Sequence, residues 1–129
     1  MAVRIVRLST KRHAGEGPRL GTVRRPPRGV RKQDYAARDY YDAWLPELAP
    51  SAPLVSYALS KPFTPARWAA YSRRYRSEMG KPGAQRLLTV LAALSRQASF
   101  SVGCYCEDER RCHRSLLRAL LGEHGAQVL

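Results

Sequence analysis

The segment from Cys104 to Arg114 constrains the fold of this chain more than any other feature. It continues a short run, Ser99 to Cys104, in which alternate positions are apolar, as in a β-strand. It leads into Cys112 to Leu121, where leucines recur at helical spacing as far as Gly122. A strand followed directly by a helix predicts an α/β fold, and such folds bind ligands where strands end and helices begin.

Length and hydrophobic pattern extend this prediction to the rest of the chain. A chain of 129 residues is expected to form one small domain, spanning residues 1–129. Val3 to Leu8 and Leu20 to Arg24 are predicted strands, and the Thr64-Pro65 pair predicts a helix that ends at Gly80. Leucines between Leu87 and Leu94 predict another helix. We therefore expect a short, mostly parallel sheet with packed helices.

The remaining segments are expected to be connections. Glycines and prolines predict a basic loop over residues 9–34, in which Pro26-Pro27-Arg28-Gly29 breaks the second strand. A short helix or turn is expected between Tyr35 and Leu48. Pro46 to Pro53 reads as a surface connection, and Gly125 to Leu129 as a short edge strand.

Composition restricts the compartment and the redox state. The sequence holds no run of about 18 apolar residues, so a membrane span is not expected. The N-terminal segment alternates charged and apolar residues, unlike a secretory signal, and the default compartment is therefore cytoplasmic. The chain has three cysteines. They lie close together in the sequence rather than spread in even number along it, which favours reduced thiols over a disulfide framework.

The positive charge is concentrated near the N-terminus. The formal net charge is +13, and residues 1–32 carry ten Arg or Lys against the single acid Glu16. This asymmetry indicates an anionic partner: a nucleotide, another phosphorylated small molecule or nucleic acid. The chain also has nineteen Arg, four Lys and no Asn, a composition that a GC-rich genome produces without selection for binding.

The helical phase predicts how the cluster is oriented. Leu116 and Leu120 follow Cys112 at intervals of four, so Cys112 and the adjacent His113 should point inward. Arg114 is followed by Arg118 and is expected on a more exposed side. An arginine beside the free N–H groups of a helix N-terminus suits a phosphate.

Three chemistries remain open for the thiols. Cys106 or Cys112 could be a nucleophile, with His113 or Glu107 handling a proton. The ligand types of Cys104, Cys106, Cys112 and His113 suit zinc, but the spacing lacks the usual two-residue knuckles, and we expect neither a metal nor another cofactor. The third alternative makes the thiols small core residues.

Together these motifs resemble the domain-of-unknown-function 488 family, the YeaO-like proteins. The resemblance rests on Cys106-Glu-x4-Cys-His-Arg114 after an apolar strand and on the basic loop Gly21-Thr-Val-Arg-Arg-Pro-Pro-Arg-Gly-Val30. It extends through Tyr40 to Ser51 and Trp68 to Met79, and so covers nearly the whole chain. Many relatives carry Asp-Arg-x-Trp ahead of Pro-Arg-Gly, where this chain has Val23-Arg-Arg-Pro26. The resemblance implies a small α/β domain and no established activity.

We therefore expect an anion pocket at the strand–helix junction, and an enzymatic role for it is the leading interpretation. Arg25, Arg28 and Arg114 are the expected anion ligands, and Cys106, Glu107, Cys112 and His113 the candidate catalytic residues. One alternative is a non-catalytic basic module that binds nucleic acid through its N-terminal third. Another is a zinc- or redox-responsive protein.

Overall fold

Four parallel strands form the sheet on which the site is built. The computed structural model describes residues 1–60 and 62–129, with strands β1 (Val3–Arg7), β2 (Arg19–Gly21), β3 (Ala43–Trp44) and β4 (Phe100–Cys104). Their order across the sheet is β1-β4-β2-β3, and each neighbouring pair is parallel. β4 therefore has a paired strand on both sides. The predicted α/β class with a parallel sheet is confirmed.

Helices occupy much of the remaining chain: α1 (Ala52–Leu59), α2 (Pro65–Met79), α3 (Pro82–Ser95) and α4 (His113–Glu123). α2 begins where the sequence predicts, because the Thr64 hydroxyl accepts a hydrogen bond from the Arg67 N–H at 3.1 Å. Short 3-10 helices cover Lys32–Asp34, Pro46–Leu48 and Glu109–Arg111. No helix among the described residues is long and apolar enough to cross a membrane.

Two apolar clusters fill the interior. The larger one joins alternate residues of β1 and β4, such as Ile5 and Val102, to the inner faces of the helices. The smaller one lies at or near the carboxyl ends of the strands and contains Val6, Leu8, Val23, Tyr41, Cys104 and Cys112. The buried cysteines are thus packed at the sheet edge where parallel α/β folds bind ligands.

Three segments of the chain differ from the sequence prediction. The second strand is Arg19–Gly21, shorter and earlier than Leu20 to Arg24. A turn follows Tyr35, as expected, but the segment 35–53 also contains β3, a 3-10 helix and the start of α1. At the C-terminus only Val128 pairs with β1, through an isolated parallel bridge to Val3.

Candidate functional site

The three thiols converge at the end of β4. Cys104 is the last residue of that strand, Cys112 directly precedes α4, and Cys106 lies in the loop between them. The Sγ atoms of Cys104 and Cys112 are 2.7 Å apart, and all three Sγ atoms lie within 4.8 Å of one another. Cys104 and Cys112 are buried, Cys106 is exposed, and all three are free.

Close packing of the central strands fixes this end of β4. A β-carbon at Gly103 would lie 2.7 Å from the Val6 carbonyl oxygen, so only glycine allows β4 to run this close to β1. The Cys106 N–H then donates to Cys104 Sγ at 3.3 Å, which turns the chain out of the strand. The position of the exposed thiol is thus set by the backbone of the sheet.

The three thiols have different proton affinities. The pKa of Cys106 is lowered, because Cys104 and Cys112 donate hydrogen bonds to its thiolate and Arg114 lies nearby. The pKa of Cys104 is raised by its hydrogen bonds to the other two sulfurs and by burial. The pKa of Cys112 is raised to about 11. The exposed thiol is therefore the member of the cluster that loses its proton most readily.

His113 fixes the start of α4 against the end of β2. Its Nε2 lies 2.7 Å from the Thr22 carbonyl oxygen, which can only accept, so Nε2 carries the proton. Nδ1 is then an unprotonated acceptor, 3.7 Å from Cys112 Sγ. Burial lowers the pKa of His113 to about 4, and the ring is neutral at pH 7.

Arg114 is buried rather than on the exposed side that the sequence predicts. Its guanidinium donates a hydrogen bond to the Cys106 carbonyl oxygen, across the loop that joins β4 to α4. Its Nε has no hydrogen-bond partner among the described residues. The side chain thus folds back over the loop and provides a hydrogen-bond partner for one of its carbonyl groups.

Glu107 points away from the thiols. Its side chain is 86% exposed and lies 3.7 Å from the Arg7 guanidinium. The structure therefore brings Cys106, Cys112 and His113 together and leaves Glu107 outside the group.

A cavity of about 480 Å³ opens over the thiols. Its floor is formed by the three cysteines with His113, and its rim carries the predicted Arg25 and Arg28. Neither Glu107 nor Arg114 lines it. The walls are largely apolar or aromatic and come from the 23–28 loop, Tyr40, Pro50, α1 and Tyr71, with Tyr105 and Arg111 beside the thiols.

The arginines of the 23–28 loop differ in their contacts. Arg24 donates to the carbonyl oxygens of Pro46 and Pro50, and so ties the loop to the segment before α1. Arg25 and Arg28 are exposed, and their side chains make no hydrogen bond or ion pair with the part of the chain that the structure describes. The Tyr105 hydroxyl donates to the Arg25 carbonyl oxygen at 2.9 Å, which holds the loop beside β4.

Several cavity residues are absent from the sequence prediction. Arg111 lines the cavity and lies over the Phe63 ring, with 4.4 Å between the guanidinium carbon and the ring centroid. Val55 and Leu59 enter from α1, which the sequence analysis treats in part as a surface connection. The local signal for α1 is Ser51, whose hydroxyl caps the helix, followed by Pro53 in the first turn.

Metal ligation is chemically possible at the same place. Three thiol sulfurs within 4.8 Å match the soft ligands that zinc accepts. However, a metal needs thiolates, and Cys104 and Cys112 have raised pKa values. The fourth predicted ligand, His113, uses Nε2 on a backbone carbonyl. A metal-free cluster remains our expectation.

The fold and the site define a small α/β protein with a cysteine cluster at the carboxyl end of its central parallel strand. A family model described as the active DUF488-N3 subclade matches residues 3–125. The chain therefore belongs to the DUF488 family, and the resemblance noted from its motifs is confirmed. No curated protein and no solved structure is significantly similar to it.

Proposed function

We propose that this chain is a thiol enzyme acting on a phosphate-bearing small molecule of nucleotide size. The observation that carries the proposal is the placement of Cys106. It is the exposed member of the thiol cluster, and it lines a cavity whose rim carries Arg25 and Arg28, two side chains without a polar partner among the described residues. The description of the matching subclade as active agrees with an intact site.

Two arginines supply the proposed anion site. Arg25 and Arg28 flank Pro26 and Pro27, whose fixed φ angles restrict the backbone that presents them. A guanidinium offers paired donors that match phosphate oxygens, and its charge persists at every physiological pH. Arg111 also lines the cavity and extends its positive rim.

The cavity walls favour a ligand larger than phosphate. A volume of about 480 Å³ lies within the range of roughly 300–1,000 Å³ typical of small-molecule sites. Tyr71 and Tyr105 line it together with aliphatic side chains of α1. An aromatic base would pack against these walls while its phosphate contacts the rim, which is why we favour a nucleotide.

In the proposed reaction the Cys106 sulfur attacks an electrophilic atom of the substrate. A bond forms from Sγ to the transferred group, the bond to the leaving group breaks, and solvent in the open cavity protonates the leaving group. Water then releases the transferred group and restores the thiolate. The residue six places after Cys106 is Cys112, so the arginine of a Cys-x5-Arg phosphate loop is replaced here by arginines from the 23–28 loop.

The proposal gives the other predicted residues different parts. Arg114 is a positioning residue, since it holds the Cys106 carbonyl and does not line the cavity. His113 orients Cys112. Glu107 receives no role in proton transfer, because its side chain lies outside the cavity.

Protection from alkylation tests the proposal. Iodoacetamide should modify Cys106 first, as mapped by peptide mass spectrometry, and nucleoside monophosphates should slow this reaction more than the matching nucleosides do. Arg28→Ala should remove the difference between nucleotide and nucleoside. Arg38→Ala removes the same charge from an exposed site outside the cavity and should leave the difference intact. If the difference between nucleotide and nucleoside were the same in Arg28→Ala as in Arg38→Ala, the anion site would be refuted.

A further inference from the structure

We infer that the cysteine cluster is a site of reversible oxidation by hydroperoxides, in which Cys106 is oxidised and Cys112 resolves it as an intramolecular disulfide. The inference concerns the same thiols as the proposed function, but it needs no nucleotide. It rests on three sulfurs within 4.8 Å of one another, of which one is exposed and two are buried.

Cys106 has the features of a peroxide-reactive thiol. Susceptibility to oxidation follows thiolate character and solvent access, and an exposed thiolate beside a second thiol is the common arrangement in redox-sensing proteins. Cys106 alone among the three is exposed, and it lines the open cavity with Arg25 and Arg28 at the rim. Cys104 and Cys112 are each 2% exposed and are shielded from direct oxidation.

In the first step the Cys106 thiolate attacks one oxygen of the hydroperoxide. A sulfur–oxygen bond forms, the oxygen–oxygen bond breaks, and the departing alkoxide or hydroxide takes a proton from solvent. The sulfur is oxidised to a sulfenic acid, and the peroxide is reduced to an alcohol or water.

In the second step the Cys112 sulfur attacks Cys106. A sulfur–sulfur bond forms and the sulfur–oxygen bond breaks. The hydroxide that leaves combines with the proton released by Cys112 to give water. His113 lies beside this thiol with Nε2–H fixed on the Thr22 carbonyl, and its unprotonated Nδ1, 3.7 Å from Cys112 Sγ, can accept the proton in transit. One hydroperoxide and two thiols thus give one disulfide, one water and the reduced peroxide.

The backbone favours Cys112 over Cys104 as the resolving thiol. Only one residue separates Cys104 from Cys106, so a direct bridge would close a very small ring and strain the disulfide geometry. Cys112 approaches from a different element. Cys104 lies 2.7 Å from Cys112, so disulfide exchange can afterwards move the bond inward and free the Cys106 thiolate.

Oxidation of metal-free chain with hydrogen peroxide near pH 7 tests the inference. We expect intact mass to fall by the two hydrogens of one disulfide, with dithiothreitol restoring it, and peptide mapping to place Cys112 in the bond. An ordinary thiol is only about a few per cent thiolate at pH 7, so Cys106→Ser should slow bond formation by at least about tenfold. His13→Gln, which changes an exposed histidine that does not line the cavity, should have no effect.

The resolving step has its own test. Cys112→Ser should accumulate sulfenic acid at Cys106, captured as a dimedone adduct, whereas Cys104→Ser should still form the Cys106–Cys112 bond. Rapid disulfide formation in Cys106→Ser, or no dimedone adduct in a folded Cys112→Ser chain, would overturn the inference. The oxidation of the wild-type chain remains informative even if one of the variants fails to fold. Because no substrate is present, its outcome is separate from that of the nucleotide-protection experiment.

Discussion

Glu16 and Arg19 form an ion pair that is almost entirely withdrawn from water. Their side chains are 1% and 0% exposed, with Arg19 Nε 2.8 Å from Glu16 Oε2. The Ser101 hydroxyl donates to the same carboxylate at 2.6 Å, and the Arg19 guanidinium also donates to the carbonyl oxygens of Thr10 and Asp39. The pair therefore joins the long loop after β1 to the central strand.

Removing one partner should be costly, because it leaves the other charge buried. We expect Glu16→Gln to lower the free energy of unfolding by about 3–5 kcal/mol, measured by urea denaturation. Glu107→Gln removes an exposed acid at the surface and should change it by less than about 0.5 kcal/mol. Equal effects in the two variants would mean that the buried pair does not stabilise the fold.

The same pair predicts a dependence on pH. Burial alone would raise the pKa of Glu16, but hydrogen bonds from Arg19, Ser101 and the His13 N–H lower it from 4.5 to about 2. A depressed pKa stabilises the fold fully above pH 4.5, and that stability is lost as the pH falls towards 2. The difference in stability between wild type and Glu16→Gln should therefore shrink over this interval. A constant difference would contradict the assignment.

The sequence predicts Arg114 as an exposed anion ligand, but its buried contact in the structure predicts a contribution to stability. Its hydrogen bond to the Cys106 carbonyl is buried, so Arg114→Ala should lower the free energy of unfolding by about 1–3 kcal/mol. Arg114→Lys keeps a charged donor and should lose less. If Arg114→Ala leaves urea stability unchanged and instead abolishes nucleotide protection of Cys106, the side chain acts as a ligand.

Among the secondary-structure elements, α4 connects the core to the site. Leu117 is fully buried in the larger apolar cluster, whereas Leu116 is only partly buried at its margin. We expect Leu117→Ala to lower the free energy of unfolding by about 2–5 kcal/mol and Leu116→Ala to lower it less. Urea denaturation of both variants checks the order. The reverse order would show that the helix is rotated relative to the sheet.

Local signals decide how well each element can be predicted. α2 follows from Thr64 and Pro65 at its start and from Gly80 at its end, all of which lie within the helix or beside it. β3 is only two residues long and exists because its backbone pairs with β2, a contact that no local pattern encodes. The start of α1 is harder to predict. The prolines between Pro46 and Pro53 are typical of a connection, and they outweigh the local signal of the Ser51 cap.

The features of the candidate site also differ in how well they can be predicted from the sequence. Convergence of Cys106, Cys112 and His113 follows from one strand–helix junction, so the sequence contains the information for it. The buried position of Arg114 depends on its hydrogen bond to the Cys106 carbonyl, which the helical phase does not reveal. The Glu16 ion pair depends on Ser101, which lies 85 residues away along the chain.

For the whole molecule, net charge is a poor measure of the charge available to a partner. Five basic side chains of residues 1–32 make ion pairs or hydrogen bonds within the described chain: Arg7, Arg12, Arg19, Arg24 and Arg31. Part of the N-terminal charge is therefore already engaged within the fold. This favours a pocket over a broad nucleic-acid surface.

Salt dependence distinguishes these two modes of binding. If a bound phosphate contacts only Arg25 and Arg28, the logarithm of nucleotide affinity should fall with the logarithm of salt concentration with a slope no steeper than about −2. Fluorescence titrations at several salt concentrations measure it. Tight binding of duplex DNA with a slope near about −6 would support the basic-module alternative instead.

The floor and the walls of the cavity belong to different parts of the chain. The thiols stand at the end of β4, which is hydrogen-bonded on both sides, whereas the walls come from the 23–28 loop and α1. Amide hydrogens of β4 should consequently exchange with solvent among the slowest, and those of the walls much faster. Under the proposed function, the residues that set the reactivity of the site and the residues that select its ligand can therefore change independently in evolution. Relatives can exchange wall residues and recognise other molecules while the sulfur chemistry stays in place.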